Sequence, residues 1–433
     1  MISVVVPVHN TFLYIKECID SILNQTYKDL EVICIDSSTD DTTILLKKIA
    51  ETDSRVRVIL DPNSSYGYKV NTGIKLAQGD YISIVDSDDY LELNMYKRLL
   101  EVIEENDADF VKSDHSSFYV ENGENIIFEY MTNSSDKELY GRCSNCSANP
   151  SILYKTGISI WTGLYKKAFL LENEICMNES EGASFQDAGF SILTHVYGKR
   201  IFYLNESFYR YRTDNANSSV KSQKKYRTIA DEWNWIDNQL KNRGMNNRDI
   251  WVALGARKMM NYEWNEKRLD EDTSKEFLKS INKELVEQYL LTSMAEDMPE
   301  RFYNIFTSIY EKGALLVQTQ EVLDILKNGR VILIGVGEQG QKILSYDFAN
   351  RYFGIQKIYD LTEGIVETEG FYINVGAVSS QIAIKDHIYL IADDGDEHGK
   401  QLIEKVQLAG IDSEKIYVCS HFNIPEFDKP EEI

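Results

Sequence analysis

A chain of 433 residues can fold as two to three domains with buried cores. Its formal net charge of -23 argues against nucleic acid as a partner and against a broad electrostatic grip on anionic lipid. A nucleotide ligand stays open, because a bound cation reverses the local field.

Other absences narrow the class. Cys18 and Cys34 sit in apolar patterns, and Cys143-Ser-Asn-Cys146 is a lone C-x-x-C without two further ligands at zinc spacing. No disulfide framework is expected, and a reducing cytoplasm fits. No basic signal region precedes the first apolar run, and no run approaches the roughly 20 residues that span a bilayer. The expectation is a cytoplasmic chain whose membrane contact, where there is any, is peripheral at the inner face.

In chain order, residues 2 to 8 read as a buried strand with Pro7 near its end. His9-Asn10 open a loop, and Asn10 can cap a helix through Ile15, Ile19 and Leu23. A second strand, Leu30 to Ile35, ends in Asp36-Ser37-Ser38-Thr39-Asp40-Asp41, and a third is Val56 to Leu60. Gly67 to Gly73 follow, then a helix through Ile74 and Ala77. The strand Tyr81 to Val85 ends in Asp86-Ser87-Asp88-Asp89, and another strand is Ala108 to Lys112. Strands alternating with helices predict crossover connections and a mostly parallel sheet. Polar loops at the strands' carboxyl ends then converge on one edge, where open α/β sheets bind ligands. The acids of Asp86 to Asp89 repel one another unless a cation or donors compensate, and a hard divalent cation that grips a diphosphate suits them. The alternative is an acidic turn capping the next helix.

Ser3 to Asn10 (SVVVPVHN), Cys34 to Thr42 (CIDSSTDDT), Tyr66 to Tyr81 (YGYKVNTGIKLAQGDY) and Asp86 to Leu91 (DSDDYL) resemble, in order, the motifs of the inverting family 2 glycosyltransferases with a GT-A fold. The resemblance covers residues 1 to about 220. It implies that Pro7, His9 and Asn10 border the nucleotide, that Asp36 bonds the base or ribose, and that Lys69 and Asn71 line the donor pocket. It implies further that Asp86, Ser87 and Asp88 hold the donor, with Asp86 and Asp88 reaching the diphosphate through Mn2+ or Mg2+. The loop after the second strand departs from the family's Asp-Asp-Gly-Ser, reading Ile35-Asp36-Ser37-Ser38, and His9 replaces a common Tyr.

Residues 114 to 160 read as polar and irregular, a stretch of acceptor-side loops. Trp161 either stacks on an acceptor sugar or belongs to the core. Gln186-Asp187 is similar to the motif that supplies the family's general base. Asp187 is expected at a helix N-terminus with Gln186 on the acceptor side; a plain helix cap is the other reading. In Tyr209 to Ser219, Arg212 resembles a residue that closes over the donor diphosphate, against a solvated turn.

Residues 221 to 328 read as helical, entered by a basic cluster (Lys221, Lys224, Lys225, Arg227) that either touches anionic lipid or faces solvent. Residues 329 to 433 read as a Rossmann-like unit. Gly335-Val336-Gly337-Glu338-Gln339-Gly340 follows a strand, and Asp360 lies about 20 residues on, the spacing of a second nucleotide site. The whole is expected to be an α/β protein with a GT-A domain over residues 1–220, a helical segment and a small Rossmann-like domain. It would transfer a sugar from a UDP-sugar to a glycan or lipid-linked acceptor in cell-surface polysaccharide synthesis, with homo-oligomers open. The rivals are a non-catalytic nucleotide-sugar-binding or scaffold protein, and a dehydrogenase or epimerase activity in the last unit.

Overall fold

The computed structural model describes residues 1–215, 225–290, 292–349, 355–368, 371–378, 387–393, 397–409 and 411–419. The chain divides into two compact units, Met1–Asp270 with Thr292–Tyr303, and Glu271–Leu291 with Asn304–Ile433.

The first unit opens with β1 (Ile2–Val8), α1 (Ile15–Leu23), β2 (Leu30–Asp36), α2 (Thr42–Thr52), β3 (Val56–Leu60), α3 (Tyr66–Leu76) and β4 (Tyr81–Ile84). β1 and β2 are buried along their whole length, which is why they read as continuous apolar runs. β1 lies between β2 and β4 and runs parallel to both, with β3 parallel beyond β2. All four carboxyl ends therefore share one edge.

β5 (Tyr90–Leu91), α4 (Met95–Glu105), β6 (Phe110–Glu121), β7 (Glu124–Met131), β8 (Cys143–Ser144), α5 (Ile152–Lys155), β9 (Gly163–Lys166), α6 (Lys167–Glu172), α7 (Gln186–Tyr197) and β10 (Ile201–Arg212) follow. The strand order is β3-β2-β1-β4-β9-β6-β10-β5, with β7 on β6 and β8 on β10. β9 is antiparallel to both β4 and β6, so β6 runs with β4, and β10 runs parallel to β6. The last residues of β10 thus arrive at the edge where β4 ends.

Part of the stretch expected to be irregular is a hairpin. β6 runs on to Glu121 and turns through Asn122 and Gly123, at φ 53° and 83°, into β7. Asn-Gly with both residues at positive φ is a favoured two-residue hairpin turn. The strand hides its nature because Ser113, Asp114, His115, Ser116 and Ser117 are all buried, so it shows no apolar alternation.

α8 (Thr228–Asn242) and α9 (Arg248–Arg268) also belong to the first unit, joined by a buried Lys258–Asp237 ion pair at 2.8 Å. α10 (Glu271–Leu285) and α11 (Glu300–Asn328) lead towards a second sheet. There β11 (Val331–Ile334), α12 (Glu338–Ala349), β12 (Ile355–Asp360), β13 (Gly364–Thr368), β14 (Phe371–Ala377), β15 (Ile388–Ala392), α13 (Glu397–Leu408) and β16 (Ile416–Cys419) form the order β13-β14-β12-β11-β15-β16. β13 is antiparallel to β14, and the other pairings are parallel. Val331 and Leu333 join one core and Ile332 and Ile334 another, so both faces of β11 are covered. Among the described residues no helix is long and apolar enough to cross a membrane.

Candidate active site

The acidic turn begins one residue past β4, and its three acids differ in what they touch. Asp89 is buried: its Oδ2 accepts from Tyr209 Oη at 2.7 Å and its Oδ1 from the Arg212 amide at 2.7 Å. It ties the turn to β10. Asp86 and Asp88 keep partial access to solvent. Tyr66 Oη donates to Asp86 Oδ1 at 2.7 Å, and Asn215 Nδ2 donates to Asp88 Oδ2 at 2.7 Å. Among the described residues, each acid thereby retains a second oxygen without a hydrogen-bond donor. Burial, then the charge of Asp88, pushes the Asp86 carboxyl well above the usual carboxylate range. Two crowded carboxylates with oxygens to spare suit a hard divalent cation. Among the described residues no group of three or more His, Cys, Asp or Glu side chains is arranged to hold a metal. A cation here would thus take its remaining ligands from phosphate and water, as Mg2+ often does.

Asp187 is the second residue of α7, which is entered through Phe185 at φ 66°. Its Oδ1 accepts from the Ala188 amide at 3.0 Å. Burial raises the carboxyl to about 6, against the backbone amides and the charges of Lys112 and Arg257. The charge of Asp187 is felt at Asp86, Tyr66 and Tyr211. The Tyr66 amide also donates to Gly182 O at 2.9 Å, fastening α3 to the loop that leads into α7. The end of β4 and the start of α7, a hundred residues apart in sequence, therefore face one another.

The loops after β1 and β2 are laced together. His9 Nδ1 lies 3.0 Å from Ser37 Oγ, and the Asn10 amide donates to Ser38 Oγ at 2.8 Å. Asn10 caps no helix: it has φ 53° and its Oδ1 accepts from the Thr39 amide, while α1 starts later, at Ile15. Both side chains remain exposed, whereas Pro7 is buried in β1 opposite Ile35. Asp36 is buried and accepts from the Ser38 amide at 2.8 Å and Thr43 Oγ1 at 2.6 Å. Lys69 is buried beneath the same loops, donating to Val8 O at 2.8 Å and Ser37 Oγ at 2.6 Å, and burial lowers its ammonium to about 8. These two residues shape the crevice wall from behind.

Other expected contacts lie elsewhere. Asn71 Nδ2 donates to Met177 O at 3.0 Å and Glu179 Oε1 at 2.9 Å, and the residue lines a separate cavity of about 750 Å³ with Lys75, Cys176 and Trp235. Gln186 is buried and turns back on its own loop, donating to Ser180 Oγ at 2.9 Å and accepting from the Ser184 amide at 2.6 Å. Trp161 is buried in the middle of a stack, 4.2 Å from the Tyr209 ring and 5.4 Å from the half-buried Tyr211 ring, with His115 edge-on. Ser87 is buried in the turn. Arg212 is held between the rings of Tyr14 and Phe118. Its fork pairs with Glu17 at 2.5 Å and Asp214 at 3.3 Å, and its Nε donates to Asp88 O at 2.7 Å. In this state the guanidinium braces the acidic turn. Residues 216–224, with Asn217, Ser218, Ser219, Lys221 and Lys224, lie outside the described residues.

Sequence reasoning passed over Tyr66, Tyr209 and Lys112, and gave Asp89 no role apart from the other acids of its turn. Lys112 carried a signal: a lysine inside a strand otherwise bound for burial needs a reason.

In the second unit, Gly335 sits at φ 96°, and a Cβ on Gly340 would meet Gly335 O at 2.1 Å, so helix and loop pack closely. Gly337 lies just ahead of α12. Asp360, expected to await a ribose, is buried instead. Its Oδ2 accepts from the Val336 amide at 2.9 Å and its Oδ1 pairs with His398 Nε2 at 2.7 Å, so it ties the glycine loop to α13.

A parallel-rich sheet with acids at the end of β4 and an acid opening α7 fits the GT-A fold. Residues 3–148 match the profile of Glycosyl transferase family 2. Glycosyltransferase GlyG of Streptococcus pneumoniae is 31% identical over 223 residues, 49% of this chain and 70% of that protein. Glycosyltransferase GlyA of the same organism is 31% identical over 235 residues, 53% of this chain but only 33% of GlyA, so the match spans a third of that relative. The crystal structure of S. aureus TarS 1-349 in complex with UDP-GlcNAc superposes with a TM-score of 0.56 at 17% identity, covering 74% of this chain and 91% of that one, and bears on the fold. The chain belongs to glycosyl transferase family 2.

Proposed function

We propose that this chain transfers a sugar, with inversion, from a nucleoside-diphosphate sugar to a hydroxyl of a glycan or lipid-linked acceptor. The donor is a UDP-sugar, and UDP-GlcNAc, held by the TarS structure of the same fold, is the first to test. The observation that carries this reading is that Tyr66 bonds Asp86, just past β4, through its hydroxyl and Gly182, in the loop leading to Asp187, through its amide.

Asp187 accepts the proton of the acceptor hydroxyl as that oxygen attacks the anomeric carbon and the bond to the diphosphate oxygen breaks. Inversion follows from a single displacement and needs one protein base. Asp86 and Asp88 would hold Mn2+ or Mg2+, which when bound supplies a Lewis acid for the charge growing on the diphosphate. His9 and Asn10 border the nucleotide, while Asp36 and Lys69 hold their loop in shape. Arg212 and Asp89 fix the acidic turn. The second unit is read as Rossmann-like, on its order of parallel strands.

Asp187→Asn is expected to lower transfer by about three orders of magnitude or more while UDP binding in Mn2+ stays within about twofold. Calorimetry with UDP and Mn2+ and a transfer assay with UDP-GlcNAc measure the two. Full transfer by the variant would remove Asp187 from the mechanism.

A further inference from the structure

The cavity of about 750 Å³ beside Asn71 lies apart from the acidic turn, and none of the residues lining it belongs to α7. Its volume falls within the roughly 300–1,000 Å³ usual for ligand sites. Part of its lining is apolar and buried: Ile74 of α3, Leu170 of α6, and Ile175 and Met177 of the connection that follows. The half-buried indole of Trp235, from α8, stands beside them. Gly189 of α7 makes room for that ring, since a Cβ there would lie 2.8 Å from Trp235 Cζ3. An aromatic ring left half open among apolar side chains, with polar groups around it, suits a ligand that has one apolar face.

The polar groups narrow the chemistry. Among the described residues, the side chains of Lys75 and Glu174 make no hydrogen bond or ion pair. Glu179 accepts from Asn71 Nδ2 through Oε1, which leaves Oε2 to a ligand. Gln239 accepts from Arg243 Nη2 through Oε1 at 3.1 Å, which leaves its amide N–H groups to a ligand. One cation and two acids give no field that would hold a phosphate or other anion. A purely apolar guest would take water from these groups and return no hydrogen bond. Hydroxyls both donate and accept, so they satisfy carboxylate, ammonium and amide alike. A neutral sugar ring carries hydroxyls at its rim and a face of C–H groups for the indole.

We propose that this cavity is a second carbohydrate site, holding one neutral sugar unit of a glycan against Trp235. The segment of residues 176–180 lines it and leads on to α7. Asn71 fastens that segment at Met177 and Glu179, and Gln186, the neighbour of Asp187, fastens it at Ser180. The site thus stands beside the approach to α7 but takes its ligand without donor, metal or Asp187. On the proposed transfer reading, it keeps hold of the glycan while spent diphosphate leaves and new donor enters.

The test presents the full chain, without donor or metal, to a printed array of neutral and charged bacterial glycans, and measures the best-retained neutral glycan by calorimetry. Retention of a neutral glycan is expected, weakened about tenfold or more by Trp235→Ala and held within about twofold by Asp187→Asn. Should Trp235→Ala fail to fold, the half-buried Cys176 thiol in the same cavity reports occupancy in the wild-type chain, where the glycan is expected to slow its alkylation by iodoacetamide. Retention of charged glycans alone or of none, equal binding by folded Trp235→Ala, or unslowed alkylation of Cys176 overturns the proposal. Binding lost in Asp187→Asn also overturns it, because the glycan would then sit at the transfer site. Full transfer by Asp187→Asn would sink the base assignment and leave glycan binding standing, so the two failures are distinct.

Discussion

As the proposed base, Asp187 serves opposed demands. A base must be ionised, yet burial holds its carboxyl up at about 6, against 3.8 for a free side chain. Transfer is therefore expected to fall about tenfold per pH unit below about 6, measured as kcat between about pH 5 and 8. The same shift has a sign for stability. Because the folded value is raised, the ionised carboxylate weighs against the fold above about 6, and this penalty disappears as the pH falls towards 3.8. Asp187→Asn should thus be inactive but more stable at neutral pH by ~1–3 kcal/mol, with the gain closing below about pH 4. Urea unfolding at the two pH values checks it. Tyr66 acts at one atom, the hydroxyl that donates to Asp86 Oδ1. Tyr66→Phe should weaken UDP binding in Mn2+ by about tenfold, from a lost hydrogen bond to a charged group, read by calorimetry.

Two glycines let α3 approach its neighbours. A Cβ at Gly73 would lie 2.3 Å from Val5 Cγ1 on β1, and one at Gly67 would lie 2.0 Å from Asn178 O. Val5 sits in the buried centre of the sheet and cannot yield freely. Gly73→Ala is expected to destabilise the first unit by ~1–3 kcal/mol through overpacking, seen as a lower urea midpoint. At the start of α7 the Ala188 amide and the helix dipole favour an anion at Asp187, so local backbone geometry supports the charge that burial opposes. β10 contributes by its reach. Tyr209 and Arg212 stand on its last turns of chain and fix Asp89, which holds Asp86 and Asp88 in place. These contacts join residues about 120 apart, so no local sequence pattern announces them.

At the scale of the whole first unit, α8 and α9 are part of what buries the transferase core. Glu232 Oε2 accepts from Asn178 Nδ2 at 2.9 Å, Arg243 Nη1 donates to Asn173 O at 2.8 Å, and Arg257 grips Thr156. A chain ending at residue 220 is expected to aggregate, and one ending at residue 303 to stay folded and bind UDP, as gel filtration and calorimetry would tell. The sequence by itself determined the alternation of β1 to β4 with their helices, because runs such as Ile2 to Val8 are apolar on both faces. It also placed the acids at one sheet edge and Asp187 at the mouth of a helix. Tertiary structure decided which polar groups remain available to a ligand. Asp36, Lys69, Asn71, Gln186, Arg212 and Asp360 have the residue types for binding, yet each is engaged by a partner distant in sequence or by its own loop. A buried polar group must be satisfied by whatever the fold brings near it, and that neighbour is set by three-dimensional packing, not by spacing along the chain.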